Sequence, residues 1–199
     1  MNITDTGRDK MKKDLGILQA VYPMPVLMIA TYDEEGKVDV MNAAWGNICA
    51  PDKIALFISE PHKTTKNIRA LKAFTVSLAD TAHLDEADYF GIASGNNTQD
   101  KFERTGMTAR KSDKVNAPVI EEFPLVMECE LAEIVQTDNL HAVVGNIVNV
   151  AAEESVLDEN GKVDPAKLNA FAFDNFQSGY YAMGAKAGQA WDNGNKFGK

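Results

Sequence analysis

Apolar positions in this chain come in short runs, most of them strand-length, separated by turn residues. Val26-Leu27-Met28-Ile29-Ala30, opened by Pro23 and Pro25, predicts a strand. Asp33-Glu34-Glu35-Gly36 then reads as a turn and Val38-Asp39-Val40-Met41 as the returning strand of a β-hairpin. Residues 42–50 are less regular, 54–58 predict the next strand, and 65–72 carry helical spacing. Phe74-Thr75-Val76-Ser77-Leu78 is a strand by alternation and β-branching. Residues 83–93 and 99–105 predict short helices around the polar loop Ser94-Gly95-Asn96-Asn97-Thr98. The two longest strand patterns, 124–135 and 140–150, are joined by Thr137-Asp138-Asn139. A turn at Asp158-Glu159-Asn160-Gly161, a short helix from Pro165 and a strand at 171–173 follow. Residues 1–19 read as a lead-in, and the Gly-rich stretch from Tyr180 predicts a helical tail over 180–199. About seven strands with hairpin spacing predict a mainly β barrel or sandwich with short helices. The helices are too few and too short for a doubly wound parallel sheet.

At 199 residues the chain is expected to form a single domain, residues 1–199. A formal net charge of −9 argues against nucleic-acid binding, which requires clustered Lys and Arg. Cys49 and Cys129 are the only cysteines, lie far apart and predict buried free thiols rather than a metal site. The polar stretch from Met1 to Asp14 lacks the apolar centre of a signal peptide, and no apolar run is long enough to span a bilayer. The expectation is a cytoplasmic, reduced protein without a membrane anchor.

Against this acidic background, Ser59-Glu60-Pro61-His62-Lys63-Thr64-Thr65-Lys66-Asn67 stands out. It follows a strand and opens a helix, and the first N–H groups of a helix lack internal partners and favour an anion. Lys63 would add positive charge, and Thr64 and Thr65 would add hydroxyl donors. Lys63, Lys66, Arg69 and Lys72 recur at steps of three with no acid between 61 and 72. A Thr N-cap with solvated lysines accounts for the same residues. Hydrolase, metalloprotease, P-loop and Rossmann signatures are missing. His62, His83 and His141 fit no ligand spacing, and Asp85, Glu86 and Asp88 read as an exposed helix face. Reactivity, if the protein is an enzyme, then falls to an organic cofactor.

Taken in order, Pro25-Val26, Gly36, Asn42-Ala43-Ala44-Trp45, Cys49-Ala50-Pro51, Ser59, Lys63-Thr64-Thr65 and Asn67 form a recognisable series. It continues through Asp88-Tyr89-Phe90-Gly91, Ser94-Gly95, Asp100-Lys101-Phe102, Ala117-Pro118, Glu128-Cys129, His141 and Gly145. The series resembles the flavin reductase-like family of FMN-binding split barrels, and within it the flavoredoxin-like group. The resemblance implies a six-stranded antiparallel split β-barrel with Greek-key connections, a homodimer, and noncovalent FMN near the dimer interface. By position it implies that Asn42, Ala43, Ala44 and Trp45 line the isoalloxazine edge and that Ser59 lies beside the ribityl chain or phosphate. Lys63, Thr64 and Thr65 would take the phosphate, with Asn67 as a supporting donor. Ser94, Gly95 and Lys101 match a segment that approaches the flavin from the other subunit. Thr98-Gln99 departs from the family's apolar residue followed by Pro, which leaves that loop less rigid.

The implied activity is transfer of electrons from NADH or NADPH through FMN to free flavin, a partner protein or a small acceptor. A flavoredoxin-like carrier reduced by a partner protein, and a flavin-binding module without turnover, use the same cradle. His141 is a candidate contact for nicotinamide or substrate, or a structural histidine. Tyr180 and Tyr181 are candidates for the pocket rim or the dimer contact. No proton-transfer residue is assigned, since hydride transfer needs orientation more than a general acid or base.

Overall fold

A computed structural model describes residues 12–198. The strands in chain order are β1 (Met24–Pro25), β2 (Leu27–Tyr32), β3 (Val38–Ala43), β4 (Gly46–Ala50), β5 (Lys53–Leu56), β6 (Ala73–Leu78), β7 (Ala109–Lys111), β8 (Pro118–Ile120), β9 (Leu125–Gln136), β10 (His141–Ala152), β11 (Phe171–Asp174) and β12 (Gly179–Ala182). The helices are α1 (Lys63–Leu71), α2 (Leu84–Ile92), α3 (Lys101–Thr105) and α4 (Pro165–Leu168). The main sheet has seven strands, in the order β3-β2-β6-β9-β10-β5-β4, and every neighbouring pair is antiparallel. Where six strands were expected, β4 adds a seventh at an edge, and two small sheets, β1-β11-β12 and β7-β8, flank the barrel.

One connection forces this sheet to curl. β3 and β4 lie at opposite edges, yet only Ala44 and Trp45 separate them in sequence. Laid flat, seven strands would hold those edges about 29 Å apart, while the connector reaches about 10 Å. The sheet therefore bends round until its edges nearly meet, as an open, split barrel. The long β9-β10 hairpin follows the bend with register breaks between Val144 and Gly145 and between Ile147 and Asn149. At Gly145 the Phe74 ring fills the space that a Cβ would need.

The continuous apolar run of β2 is explained by burial on both faces. Leu27 and Ile29 point into the barrel with Ile54, Leu56, Phe74, Val76, Val143 and Ile68 of α1. Val26, Met28 and Ala30 point outward into a second core with Val40, Phe90 and Ala87 of α2, Phe102 of α3 and Phe171 of β11. These helices are thus held against the outside of β2 and β3, where they wall the site described below.

Three expectations change. The stretch from Tyr180 forms β12, paired with β11, and residues 183–198 hold only a short 3-10 turn, Asn195–Phe197. Two tyrosines suit a pleated surface, and Gly184, Gly188 and Gly194 weaken any helix beyond it. Cys49 is exposed, because β4 is an edge strand; Cys129 on β9 is buried, as expected. Of the acidic trio on α2, Asp88 is not simply solvated but accepts a hydrogen bond from Tyr180. Of the lead-in, residues 1–11 lie outside the described residues, and 12–22 carry no helix or strand.

Candidate functional site

The corner where the two sheet edges meet holds a cavity of about 350 Å³. Its floor is the end of β3 and the connector, Met41-Asn42-Ala43-Ala44-Trp45, and one side is Phe57-Ile58-Ser59 with His62. The main chain of Phe57 donates to the Trp45 carbonyl at 2.8 Å, which ties these two segments together. Small side chains at 43 and 44 leave the main chain open to a ligand. The opposite wall is aromatic: Trp45 lies 6.3 Å from Phe173, and Phe173 lies 5.9 Å from Tyr180, between ring centroids. The Tyr180 hydroxyl donates to Asp88 Oδ1 at 2.8 Å. Burial and that carboxylate push its pKa up to about 12, so it remains a neutral phenol.

A second cavity, of about 190 Å³, shares Met41, Asn42, His62 and Gly91 with the first. It lies at the start of α1 and adds Lys63, Thr64, Ser94, Gly95 and Lys101. His62 is the N-cap residue, but its side chain makes no capping bond. Among the described residues, the main-chain N–H groups of Lys63, Thr64 and Thr65 find no acceptor, as the first turn of a helix dictates.

The side chains of that turn are held by the protein itself. Thr64 donates its hydroxyl proton to Asp39 Oδ2 at 2.6 Å, and Thr65 donates to the Ser59 carbonyl at 2.9 Å. Asn67 donates to Thr31 Oγ1 at 3.0 Å in the core. These bonds moor α1 to β2, β3 and the preceding loop, and they leave the main-chain N–H groups of the first turn as the unpaired donors at the cavity. Lys101 pairs with Asp39 Oδ1 at 3.2 Å and also reaches the Ala93 carbonyl at 3.3 Å. Burial lowers its pKa, and the Asp39 charge works against that shift. Lys63 reaches Asp33 Oδ2 at 3.0 Å.

Two glycines let α2 and its loop come this close. A Cβ at Gly91 would strike the Asn42 amide, and one at Gly95 would strike Asp39 Oδ1 and Lys63.

Of the residues singled out from sequence, Asn42, Ala43, Ala44, Trp45 and Ser59 line the first cavity, and Lys63, Thr64, Ser94, Gly95 and Lys101 the second. The 94–101 segment closes on Lys63 and Thr64 of its own chain. Thr65 and Asn67 are buried behind the helix start. His141 lies outside both cavities; it donates through Nδ1 to the Ile58 carbonyl and meets Glu60 Oε2 at 2.7 Å through Nε2. Arg69 holds the same carboxylate oxygen at 2.6 Å, so His141 and Arg69 clamp the loop that carries Ser59. Sequence reasoning missed His62, Phe57, Gly91 and Phe173. His62 adjoins Lys63 at the N-cap, which is a usable signal; Phe173 comes from a remote strand and carries none.

These cavities suit an elongated ligand with a flat, largely apolar head and an anionic tail, which is the shape and polarity of FMN. The buried Nδ1 of His62, a residue that lines both cavities, has no hydrogen-bond partner among the described residues. Burial, and secondarily the Lys101 charge, lower the His62 pKa, against the pull of Asp39, so its ring is neutral near pH 7. Among the described residues no group of His, Cys, Asp and Glu is arranged to hold a metal, and no helix is long and apolar enough to cross a membrane.

Residues 19–177 match the family described as flavin reductase like domain. The structure is similar to flavoredoxin of Desulfovibrio vulgaris (Miyazaki F), with 34% identity, a TM-score of 0.88, and coverage of 92% of this chain and 100% of that one. It is similar to flavoredoxin from Methanosarcina acetivorans, with 25% identity, a TM-score of 0.84, and coverage of 94% and 100%. A third similar structure is a putative flavin reductase with a split barrel domain from Shewanella frigidimarina NCIMB 400, with 20% identity, a TM-score of 0.75, and coverage of 84% and 86%. At that identity the likeness is one of fold.

Proposed function

Since the chain belongs to the flavin reductase-like domain family, we propose that it is an FMN-binding oxidoreductase, taking electrons from NADH or NADPH and passing them to free flavin, a partner protein or a small acceptor. The observation that carries this reading is the junction of an aromatic-walled cavity of about 350 Å³ with a smaller one at the N-terminus of α1, flanked by Lys63 and Lys101. When bound, FMN supplies reversible hydride and electron acceptance, which no side chain of this site provides.

The chain's own part is to bind, orient and exclude water. Ala43 and Ala44 present main chain to the edge of the ring system, and Trp45 and Phe173 cover its flank. Asn42, held to the Ala87 carbonyl at 2.7 Å, keeps a fixed orientation beside it. Ser59 and the His62 ring line the passage between the cavities. Free N–H groups of Lys63, Thr64 and Thr65 and the ammonium of Lys63 take the phosphate, with charge-assisted contacts worth roughly 1.5–3 kcal/mol each. Thr64, Thr65 and Asn67 serve by fixing the helix start, and Ser94, Gly95 and Lys101 close the pocket. His141 holds the Ser59 loop rather than a substrate. We place the protein in the cytoplasm as a homodimer, in which the half-exposed Trp45, Ile48 and Phe57 are covered.

Anaerobic titration tests the reading. The protein should bind FMN with an altered visible spectrum, and NADH or NADPH should then bleach it. Failure to bind FMN would refute the proposal. Similarity to two flavoredoxins favours a second reading, a carrier reduced by a partner protein; on that reading the bound flavin stays oxidised with either nicotinamide and bleaches only with a reduced partner.

A further inference from the structure

Among the described residues Lys63 is the one that lines both the cavity at the start of α1 and a separate surface pocket of about 260 Å³, walled by Asp33, Glu34, Lys37, Lys66 and Gln99. Its stem lies on the cavity side, where a Cβ added at Gly95 would come 3.1 Å from Lys63 Cδ. Its ammonium turns the other way, to Asp33 Oδ2 at 3.0 Å. A short rotation about the flexible stem moves the charge from one side to the other. Lys101 has no such freedom: its side chain is 4% exposed and is bound to Asp39 and the Ala93 carbonyl.

Asp33 is held ready for this contact. Its Oδ1 accepts from the main-chain N–H groups of Glu35 at 3.1 Å and Lys37 at 2.8 Å, which closes the turn between β2 and β3. Oδ2 is thereby left facing Lys63. The carboxylate sits beside the cavity at which an anion is expected, yet outside it.

We propose that Asp33 is an internal competitor for the anionic end of the ligand: it holds Lys63 in the free protein, and a flavin phosphate takes its place on the same ammonium when it binds. The inference rests on the FMN reading above. Binding is then an exchange of one oxyanion for another, and apparent affinity falls by the fraction of Lys63 that Asp33 withholds. Asp33 would thus set how readily FMN exchanges and how strongly it is preferred over riboflavin, which lacks the phosphate.

The test is equilibrium binding of FMN and of riboflavin, followed by flavin fluorescence, to the full chain and to Asp33→Asn, Lys63→Ala and the double variant. Asparagine keeps the Oδ1 acceptor of the turn and removes the charge; Asp33→Ser, which also leaves an oxygen for the turn, serves if the first variant is unstable. Asp33→Asn should tighten FMN about threefold or more, as expected for one partly exposed ion pair. Riboflavin binding should not change, and the gain should vanish in the Lys63→Ala background. Unchanged or weaker FMN binding overturns the proposal. So does an equal gain for riboflavin, or a gain that persists without Lys63, which would mark a general charge effect. If the unmodified chain prefers FMN to riboflavin while Asp33→Asn has no effect, only this inference fails. If the unmodified chain binds neither flavin, the FMN reading fails and takes this inference with it.

Discussion

Lys101 and Asp39 face each other at 3.2 Å with 4% and 2% of their side chains exposed. The pair joins the start of α3 to the start of β3, and Asp39 uses its other oxygen to hold Thr64 of α1. A single carboxylate therefore sets the relative positions of α1, α3 and the barrel edge beside the smaller cavity. Its own charge is answered on both oxygens, which allows an acidic group to lie under a site for an anion. Removing one partner leaves a buried charge unanswered. Asp39→Asn and Lys101→Met should each destabilise the protein by about 3–5 kcal/mol in urea unfolding. The double variant should lose less than the sum of the two. Single-variant losses below about 1 kcal/mol would mean that solvent reaches the pair.

The two cysteines should differ sharply in reactivity. Cys49 stands exposed on the edge strand β4, and Cys129 is buried against Phe74 and the other barrel-interior side chains. Burial, with the Glu128 charge beside it, pushes the Cys129 thiol up to about 12. In native protein a thiol-specific chromogenic reagent should label one cysteine per chain quickly, and the second only on unfolding. Two fast thiols, or loss of the fast one in Cys129→Ala rather than Cys49→Ala, would contradict this assignment.

The strands were legible wherever burial writes itself into a run of residues. The run from Val26 into β2 is apolar at every position as far as Ala30 because two cores press on it, and the β9-β10 hairpin is marked by its length and its Thr137-Asp138-Asn139 turn. β4 was not legible, since an edge strand with Asn47, Ile48 and Cys49 exposed carries no buried face to read. The start of α1 was visible as a place for an anion because strand, loop, Lys63 and hydroxyls are contiguous. What the hydroxyls do was not visible: Thr64 meets Asp39 and Asn67 meets Thr31 only because β2 and β3 pass beneath the helix. Phe173 and Tyr180 reach the cavity from a small sheet far along the chain, and that depends on the pairing of β1 with β11. The helical tail was misread because a run of short apolar and aromatic residues has no period that separates strand from helix.

Gly91 offers a way to disturb the head of the ligand without touching its tail. A Cβ there would lie 2.5 Å from Asn42 Oδ1 and 2.6 Å from its Nδ2. The Asn42 amide cannot swing aside freely, because it donates to the Ala87 carbonyl at 2.7 Å. Gly91→Ala should therefore displace Asn42 and lose that bond, at a stability cost of about 1 kcal/mol. FMN and riboflavin should lose affinity alike, whereas Lys63→Ala should weaken FMN alone. A Gly91→Ala effect confined to FMN would move Asn42 from the head of the site to its tail.

Tyr180 supplies a test at the opposite wall. Its pKa is raised from 10.0 to about 12, first by burial and then by the bond to Asp88. Because the folded value lies above the unfolded one, the unfolded chain gives up this proton first as pH rises. The contribution to stability is full below pH 10 and is lost as pH climbs toward 12. Removing the hydroxyl in Tyr180→Phe removes that dependence along with the bond. The stability difference between the parent and Tyr180→Phe should be constant from pH 7 to about 9 and shrink steadily above it. Urea unfolding at a series of alkaline pH values measures it, and comparing the two proteins cancels the other four of the five tyrosines. A difference that stays constant through pH 11 would mean that Tyr180 ionises no differently in the folded chain, and so that its hydroxyl is open to solvent rather than held against Asp88 at the cavity wall.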